Sequence, residues 1–285
     1  MTDRMSGKII VVTGAASGIG LGTVERLIEE GAHVLAADIQ DEKGAQLEAR
    51  FKDRLIYRHC DVSDEQQVKA IMDEAAAHFG GLDGVFNNAG SAGVMSPLEE
   101  IGAADWKAIF DILVTSVFFG TKFATPHLAR RGGGAIVNTA SIAGLEAGWG
   151  PIAYSTAKAA VIHFSRVAAA ELAAKNIRVN AICPGLIATS IFGTAIGLPR
   201  DQADQLAALI AHQGGNAQPI GRAGQPRDIA EAVLLMMSDA GSFITGTHLV
   251  VDGGITIGPR HAWDPASPSP MAAIFGDSLP TPAQS

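Results

Sequence analysis

The stretch KIIVVTGAASGIGLGTVERLIEEGAHVLAAD, residues 8 to 38, decides how the rest of the chain is read. An apolar run, Ile9 to Val12, enters a glycine-rich turn, continues into a helix-compatible segment from Gly18 to Glu30, and leaves through Gly31 into a second apolar run ending at Asp38. Apolar runs without alternation suit strands buried on both faces, and Gly31 suits a helix C-terminus. Strand, helix and strand so joined make one β-α-β unit with parallel strands.

The same rhythm continues along the chain. RLIYRHC, LDGVFN, GAIVNTA, NIRVNAI and THLVVD are five further strand candidates, with amphipathic stretches between them, and Ser63 followed by Glu65 and Gln66 predicts a helix from about residue 64. The expectation is an α/β fold, a Rossmann-type doubly wound, seven-stranded parallel sheet with helices on both faces. One domain is expected over residues 1 to 258, with a lid at about 189 to 218. Residues 259 to 285 form an extension whose prolines 259, 265, 268, 270, 280 and 282 argue against a regular helix or a central strand.

Composition excludes several classes of function. A formal charge of −8 without any block of Lys or Arg argues against nucleic acid, because phosphate neutralisation needs clustered cations. The N-terminus, MTDRMSGK, lacks the apolar core of a signal peptide, and no uncharged apolar run is long enough to cross a bilayer. Cys60 and Cys183 have no partner at metal spacing and read as single buried thiols of a reduced compartment. The expectation is therefore a cytoplasmic protein with no metal, no nucleic acid and no membrane partner.

Chemistry begins in TGAASGIG, residues 13 to 20. Glycines serve where a backbone must turn sharply and approach a pyrophosphate, and a helix N-terminus offers free N–H groups and positive dipole to that anion. Gly14, Ser17, Gly18, Ile19 and Gly20 are the candidates, although their G-x-x-x-G-x-G spacing departs from G-x-G-x-x-G. Asp38, 18 positions beyond Gly20, closes the next strand where a carboxylate accepts the hydroxyls of an adenosine ribose. It would repel a 2′-phosphate, and no basic residue stands at Ala15, Ala16, Ser17 or Ile39, so NAD is preferred to NADP. The plainer alternative is that Asp38 caps the turn at Ile39 and Gln40. Asp61 and Val62 follow the third strand, and Asn88, Ala89 and Gly90 the fourth, at strand ends where open α/β sheets bind ligands.

A second cluster lies in SIAGLEAGWGPIAYSTAK, residues 141 to 158. Tyr154 and Lys158 stand four apart, on one face of a helix, and a cation beside a phenol favours its ionised form. With TGAASGIG, Asp38, NNAG, Ser141, RVNAICPG and ITGTHLVVDGG, the chain resembles the short-chain dehydrogenases and reductases over roughly residues 5 to 257. That resemblance implies that Ser141 bonds the substrate oxygen, that Tyr154 transfers the proton, and that Lys158 holds the nicotinamide ribose and lowers the tyrosine pKa. It also implies that Pro184, Gly185, Ile187 and Thr189 lie along the nicotinamide, and that the protein assembles as a homotetramer through the helices following the fourth and fifth strands.

One position departs from the pattern. Family members carry an asparagine where this chain has Leu113, seven residues after Trp106, and leucine favours an unbroken apolar helix. Proton exchange would then run through a water held by backbone carbonyls or by the hydroxyls of Thr115 or Ser116, or the enzyme would be slow or specialised. Substrate contacts are read from Val94, Met95, Leu145, Trp149, Ile191 and Phe192, an apolar set that suits a bulky secondary alcohol or ketone of alicyclic, terpenoid or steroid-like kind. The alternatives are a 3-oxoacyl-thioester reductase, which Asp38 disfavours because such enzymes prefer NADPH, and a non-catalytic NAD(H)-binding protein, which Leu113 raises.

Overall fold

The computed structural model describes residues 3 to 276. Seven strands form one parallel sheet in the order β3-β2-β1-β4-β5-β6-β7. They are β1 Ile9–Thr13, β2 His33–Asp38, β3 Leu55–His59, β4 Gly84–Asn87, β5 Gly134–Thr139, β6 Ile177–Pro184 and β7 His248–Val251. All seven coincide with the apolar runs of the sequence. The first helices are α1 Gly18–Glu29, α2 Asp41–Phe51 and α3 Glu65–Phe79, then α4 Ala103–Phe110 and α5 Ser116–Arg130. Beyond them come α6 Ile152–Leu172, α7 Ile191–Ala195, α8 Arg200–Gln213, α9 Pro226–Met237 and α10 Pro270–Phe275.

Two cores sandwich the sheet, and β1 shows why its residues are apolar without alternation. Ile10 and Val12 join Val24, Leu27, Ile229 and Val233 on the α1 and α9 side, while Ile9 and Val11 join Val68, Ile71, Ala124 and Leu128 on the α3 and α5 side. Strand side chains alternate between faces, so a strand covered on both sides has no polar face to offer. The order reverses between β1 and β4, which opens a crevice at the carboxyl ends of the strands.

The structure differs from expectation at three places. Helix α3 is capped by Asp64, whose carboxylate accepts the N–H groups of Gln66 at 2.8 Å and Gln67 at 3.2 Å, rather than by Ser63. The extension does form a short regular helix, α10, because Pro270 sits in its first turn, where the missing N–H costs nothing, and the Ser269 hydroxyl accepts from Ala272 N at 3.1 Å. Pro280 and Pro282 lie outside the described residues. Thirdly, Leu113 does not lie in an unbroken helix: Asp111–Thr115 is a π-helical turn joining α4 to α5. The Ser116 hydroxyl donates to the Ile112 carbonyl at 2.6 Å, a bond that loosens helices locally, and Leu113 is buried against Ala153 and Ala157 of α6. The stretch Ala103–Arg130 has the length and hydropathy of a bilayer-crossing helix, yet its Leu113, Val117, Ala124 and Leu128 are core residues.

Candidate active site

Three loops converge at the crevice. Gly14 leaves β1 with φ +63°, and a methyl group added there would stand 2.8 Å from Ala89 Cα. One added at Gly18, where φ is +51°, would stand 3.1 Å from Thr189 Cγ2. The glycine turn therefore touches both the segment after β4 and the segment after β6, and only a residue without Cβ permits that approach. Thr13, which the motif reading passed over, is the bolt: its hydroxyl accepts Asn88 N–H at 3.0 Å and Ala89 N–H at 3.1 Å. Asn88 itself donates from Nδ2 to the Thr13 carbonyl at 3.0 Å, so its side chain holds the loop.

Ser17 precedes α1 without a side-chain cap, leaving the first N–H groups of the helix free of one. Asp38 is buried, and one carboxylate oxygen accepts Ala16 N–H at 2.9 Å. The other, Oδ1, accepts both Gln40 N–H at 3.0 Å and the Gln40 side-chain amide at 3.2 Å, so the turn-capping alternative is realised, and Oδ2 keeps acceptor capacity for a ribose hydroxyl. The glycine cradle, the uncapped helix start and the strand-end carboxylate fit a dinucleotide. Beside them Asp61 is exposed and bonds Ser63 N–H at 2.9 Å, Val62 is core, and Gly90 lies against Leu113 Cδ2. After β6, Gly185 packs on Asp252, and Ile187 and Thr189 are buried.

The second cluster is built on β5 and α6. Ser141 is extended, and its Oγ accepts Ala143 N–H at 3.1 Å, which orients the hydroxyl and leaves its hydrogen to donate. The short turn Ile142–Gly144 rests on α6 so closely that a methyl on Gly144 would lie 2.6 Å from the Lys158 carbonyl carbon. Gly150 likewise faces the Tyr154 ring, at 3.0 Å from Cδ1 for an added methyl. Lys158 is 3% exposed, with Nζ 5.6 Å from the Tyr154 ring centroid and donating to the Thr139 carbonyl at 2.6 Å. Burial pulls its ammonium down to about 8. Burial also holds the Tyr154 hydroxyl above its ordinary value, against the opposing influence of Ser141. The lysine therefore does not by itself make this phenol acidic, contrary to the simplest reading of the pair.

The apolar candidates lie on segments after β4, β5 and β6. Met95, Leu145, Trp149 and Phe192 are exposed, and Val94 and Ile191 are half-buried. Trp149 lines a cleft of about 410 Å³ shared with Ile255, Thr256 and Pro259, a wall the sequence reading did not include. Also missed was a buried amide chain beneath the site: Asn87 Nδ2 donates to Asn138 Oδ1 at 2.8 Å, and Asn138 Nδ2 to Ser165 Oγ at 2.9 Å. Polar residues inside otherwise apolar strand runs were the available signal.

Fold and crevice together define a Rossmann-type α/β protein whose strand ends fit a dinucleotide. A family model described as enoyl-(acyl carrier protein) reductase matches residues 14–256. The cis-4-hydroxycyclohexanecarboxylate dehydrogenase of Sinomonas cyclohexanicum is 42% identical over 260 residues, covering 90% of this chain and 99% of that one. The 2,5-dichloro-2,5-cyclohexadiene-1,4-diol dehydrogenase of Sphingobium indicum is 41% identical over 257 residues, with coverages of 90% and 99%. Momilactone A synthase of Oryza sativa subsp. japonica is 38% identical over 256 residues, with coverages of 89% and 92%. The chain belongs to the short-chain dehydrogenase/reductase family. It is an oxidoreductase that works with a nicotinamide cofactor on a small-molecule substrate.

Proposed function

We propose that the chain is an NAD-preferring dehydrogenase interconverting a bulky, largely apolar alicyclic secondary alcohol and its ketone. The observation that carries this reading is the meeting of buried Ser141 and Lys158 with half-buried Tyr154 beside the glycine cradle, with Lys158 Nζ 5.6 Å from the Tyr154 ring centroid and held at 2.6 Å by the Thr139 carbonyl. The exposed apolar rim of Met95, Leu145, Trp149 and Phe192 supports an apolar substrate, and two relatives named for ring alcohols or diols support an alicyclic one. Asp38, with no neighbouring cation in the turn, supports NAD.

A nicotinamide held beside Lys158 and the glycine cradle would supply a hydride acceptor for the carbinol carbon and, in its oxidised form, a positive ring. Ser141 donates its hydrogen to the substrate oxygen and fixes the carbinol. Tyr154 then receives the hydroxyl proton, so carbonyl formation leaves no charge on the substrate. A phenol useful near neutrality needs roughly three pKa units removed from about 10, or about 4 kcal/mol. Because burial opposes that shift, the Lys158 ammonium would need the help of a bound positive ring to lower the phenol. Lys158 spends one N–H on Thr139 and keeps two for ribose hydroxyls. Proton exchange with solvent is assigned to a water held by the backbone carbonyls of the 111–115 turn or by Thr115, since the Ser116 hydroxyl is committed to Ile112. Phe118 on α5 and Val167 on α6 are exposed and support the homotetramer, which light scattering would test.

The test is nicotinamide reduction by wild type and Tyr154→Phe, with NAD and NADP, over cyclic and open-chain secondary alcohols. Activity with NAD on cyclic alcohols that falls at least a hundredfold in the variant is expected. Equal rates in the two proteins would overturn the mechanism. Acyl-thioester reduction is the second reading, favoured by the description of the matching family model, and turnover of a 3-oxoacyl thioester with NADPH above any alcohol would establish it. NADH binding without turnover of either class would instead favour the non-catalytic reading.

A further inference from the structure

Besides Tyr154 the chain has one other tyrosine, and it also ends at the dinucleotide crevice. Tyr57 stands on β3, next to β2, whose terminal Asp38 pairs with His59. Its ring is 9% exposed and lies over α2 at Gly44, where any added methyl would overlap the ring carbons. This glycine is mid-helix, where glycine costs roughly 1 kcal/mol against alanine, and the ring explains its presence. The Tyr57 hydroxyl sits 2.8 Å from the Asp38 carbonyl oxygen and 2.8 Å from Asp41 Oδ1. One hydroxyl, sharing its single hydrogen between these two acceptors, thus joins the last residue of β2 to the first residue of α2 and bridges the turn at Ile39 and Gln40. Asp41 is secured from its other side by His59 Nδ1 at 2.9 Å. Within the bridged turn, Gln40 gives its N–H to Asp38 Oδ1 at 3.0 Å, and its side-chain amide reaches Asp38 Oδ1 at 3.2 Å and Ser17 Oγ at 3.3 Å.

We propose that Tyr57 is a positioning residue for dinucleotide discrimination: through the bridge to Asp38 and Asp41, with room provided by Gly44, it holds the Asp38 carboxylate where it accepts the ribose diol and repels a 2′-phosphate. The proposal rests on the reading of Asp38 as ribose acceptor. A carboxylate discriminates against a phosphate only while its direction is fixed. If the turn relaxes, Asp38 can rotate towards water, which loses hydrogen bonds to NAD and removes repulsion from NADP. Tyr57 touches neither the reacting atoms nor the Tyr154 cluster, so the chemical step is left alone.

The experiment is direct titration of NADH and NADPH by nicotinamide fluorescence, on wild type, Tyr57→Phe, Asp38→Ala and the double variant, with kcat at saturating cofactor alongside. Tyr57→Phe keeps the ring over Gly44 and removes only the bridge. The expected result is NADH binding weakened roughly fivefold, NADPH binding unchanged or tightened, and kcat unchanged. In the Asp38→Ala background, Tyr57→Phe should have no further effect on either cofactor. Equal weakening of both cofactors, or the same fivefold loss without Asp38, would make Tyr57 merely structural and overturn the proposal. Asp41→Ala, an exposed change at the start of α2, provides the same test should Tyr57→Phe not fold, and must likewise reduce the NADH to NADPH ratio. If Asp38→Ala alone leaves that ratio unchanged, the assignment of Asp38 fails, and with it the proposal. That outcome is distinct from one in which Asp38 matters and Tyr57 does not.

Discussion

Lys158→Met should exchange catalysis for stability, with a pH signature. In the folded chain, burial lowers the ammonium from 10.5 to about 8. Between those values the unfolded chain binds more protons than the folded one, so the lysine's contribution to stability rises with pH. Below pH 8 the group is charged in both states and the full penalty of burying the charge is present; above 10.5 it is neutral in both and the penalty is gone. The whole shift corresponds to about 3 kcal/mol, and the part relieved between roughly pH 7.5 and 10 to about 2 kcal/mol. Methionine fills a similar volume without a charge, so its unfolding free energy lacks this increment. The bond to Thr139, whose loss costs about 1 kcal/mol or more, offsets part of the gain at pH 7.5, but it does not enter the slope. Urea unfolding of both proteins at several pH values gives the difference directly. A wild-type minus variant stability that stays flat from pH 7.5 to 10 would refute the burial argument. A difference that falls with pH would show that Lys158 is held as a stabilised cation. The variant should in either case oxidise no alcohol at a measurable rate.

Asp38→Ala should raise the KM for NAD by roughly 10- to 100-fold and narrow the preference over NADP, because charge-assisted bonds are lost and a repulsive charge removed. Unchanged cofactor kinetics would place the ribose elsewhere. Leu113→Ala leaves a cavity between Gly90, α6 and the Tyr154 cluster and should cost about 2 to 4 kcal/mol in urea unfolding; a loss under 1 kcal/mol would mean the π turn collapses to fill it. Gly144→Ala should abolish turnover while NADH binding at the glycine cradle survives, since the added methyl meets the α6 backbone at Lys158. Wild-type rates would show that the 142–144 turn moves freely. Truncation after Gly258 removes Pro259 from the cleft shared with Trp149 and should raise the KM for the alcohol severalfold without altering NADH binding. Unchanged KM and unchanged assembly would remove the extension from the active site.

What was legible in the sequence was what depends on neighbours along the chain. The strands were visible because a parallel sheet covered on both faces makes apolar runs, as Ile9 to Val12 illustrates. Tyr154 and Lys158 were visible because four residues make one helical turn, and Asp38 because a strand end lies at a fixed remove from the glycine turn. What remained hidden depends on partners far along the chain. Thr13 is a locking residue only because Asn88 and Ala89 arrive 75 and 76 residues later, and the Thr139 carbonyl matters only because Lys158 reaches it. The cleft wall of Ile255 to Pro259 was hidden for the same reason. Leu113 misled differently: helix propensity describes an isolated helix, whereas here Leu113 sits in a π turn packed against Ala153 and Ala157 of α6, a contact the local sequence does not show.

The sheet and its crevice explain why a buried lysine is tolerated at all. The Thr139 carbonyl that receives Nζ belongs to the last residue of β5. Just beyond it the chain leaves the ladder to place Ser141, so the strand end supplies both the lysine's acceptor and the hydroxyl proposed to meet the substrate. Moving Lys158 to the surface would restore its hydration and relieve about 3 kcal/mol, but it would also separate the cation from the phenol and from the ribose site. The lowered ammonium is thus the stability cost of holding a charge in place before a ligand arrives, where it needs no rearrangement when the proton moves. The same logic accounts for Gly144 and Gly150. Each gives up side-chain packing so that the turn carrying Ser141 can rest against Lys158 and Tyr154, and the three groups meet because the backbones between them are bare.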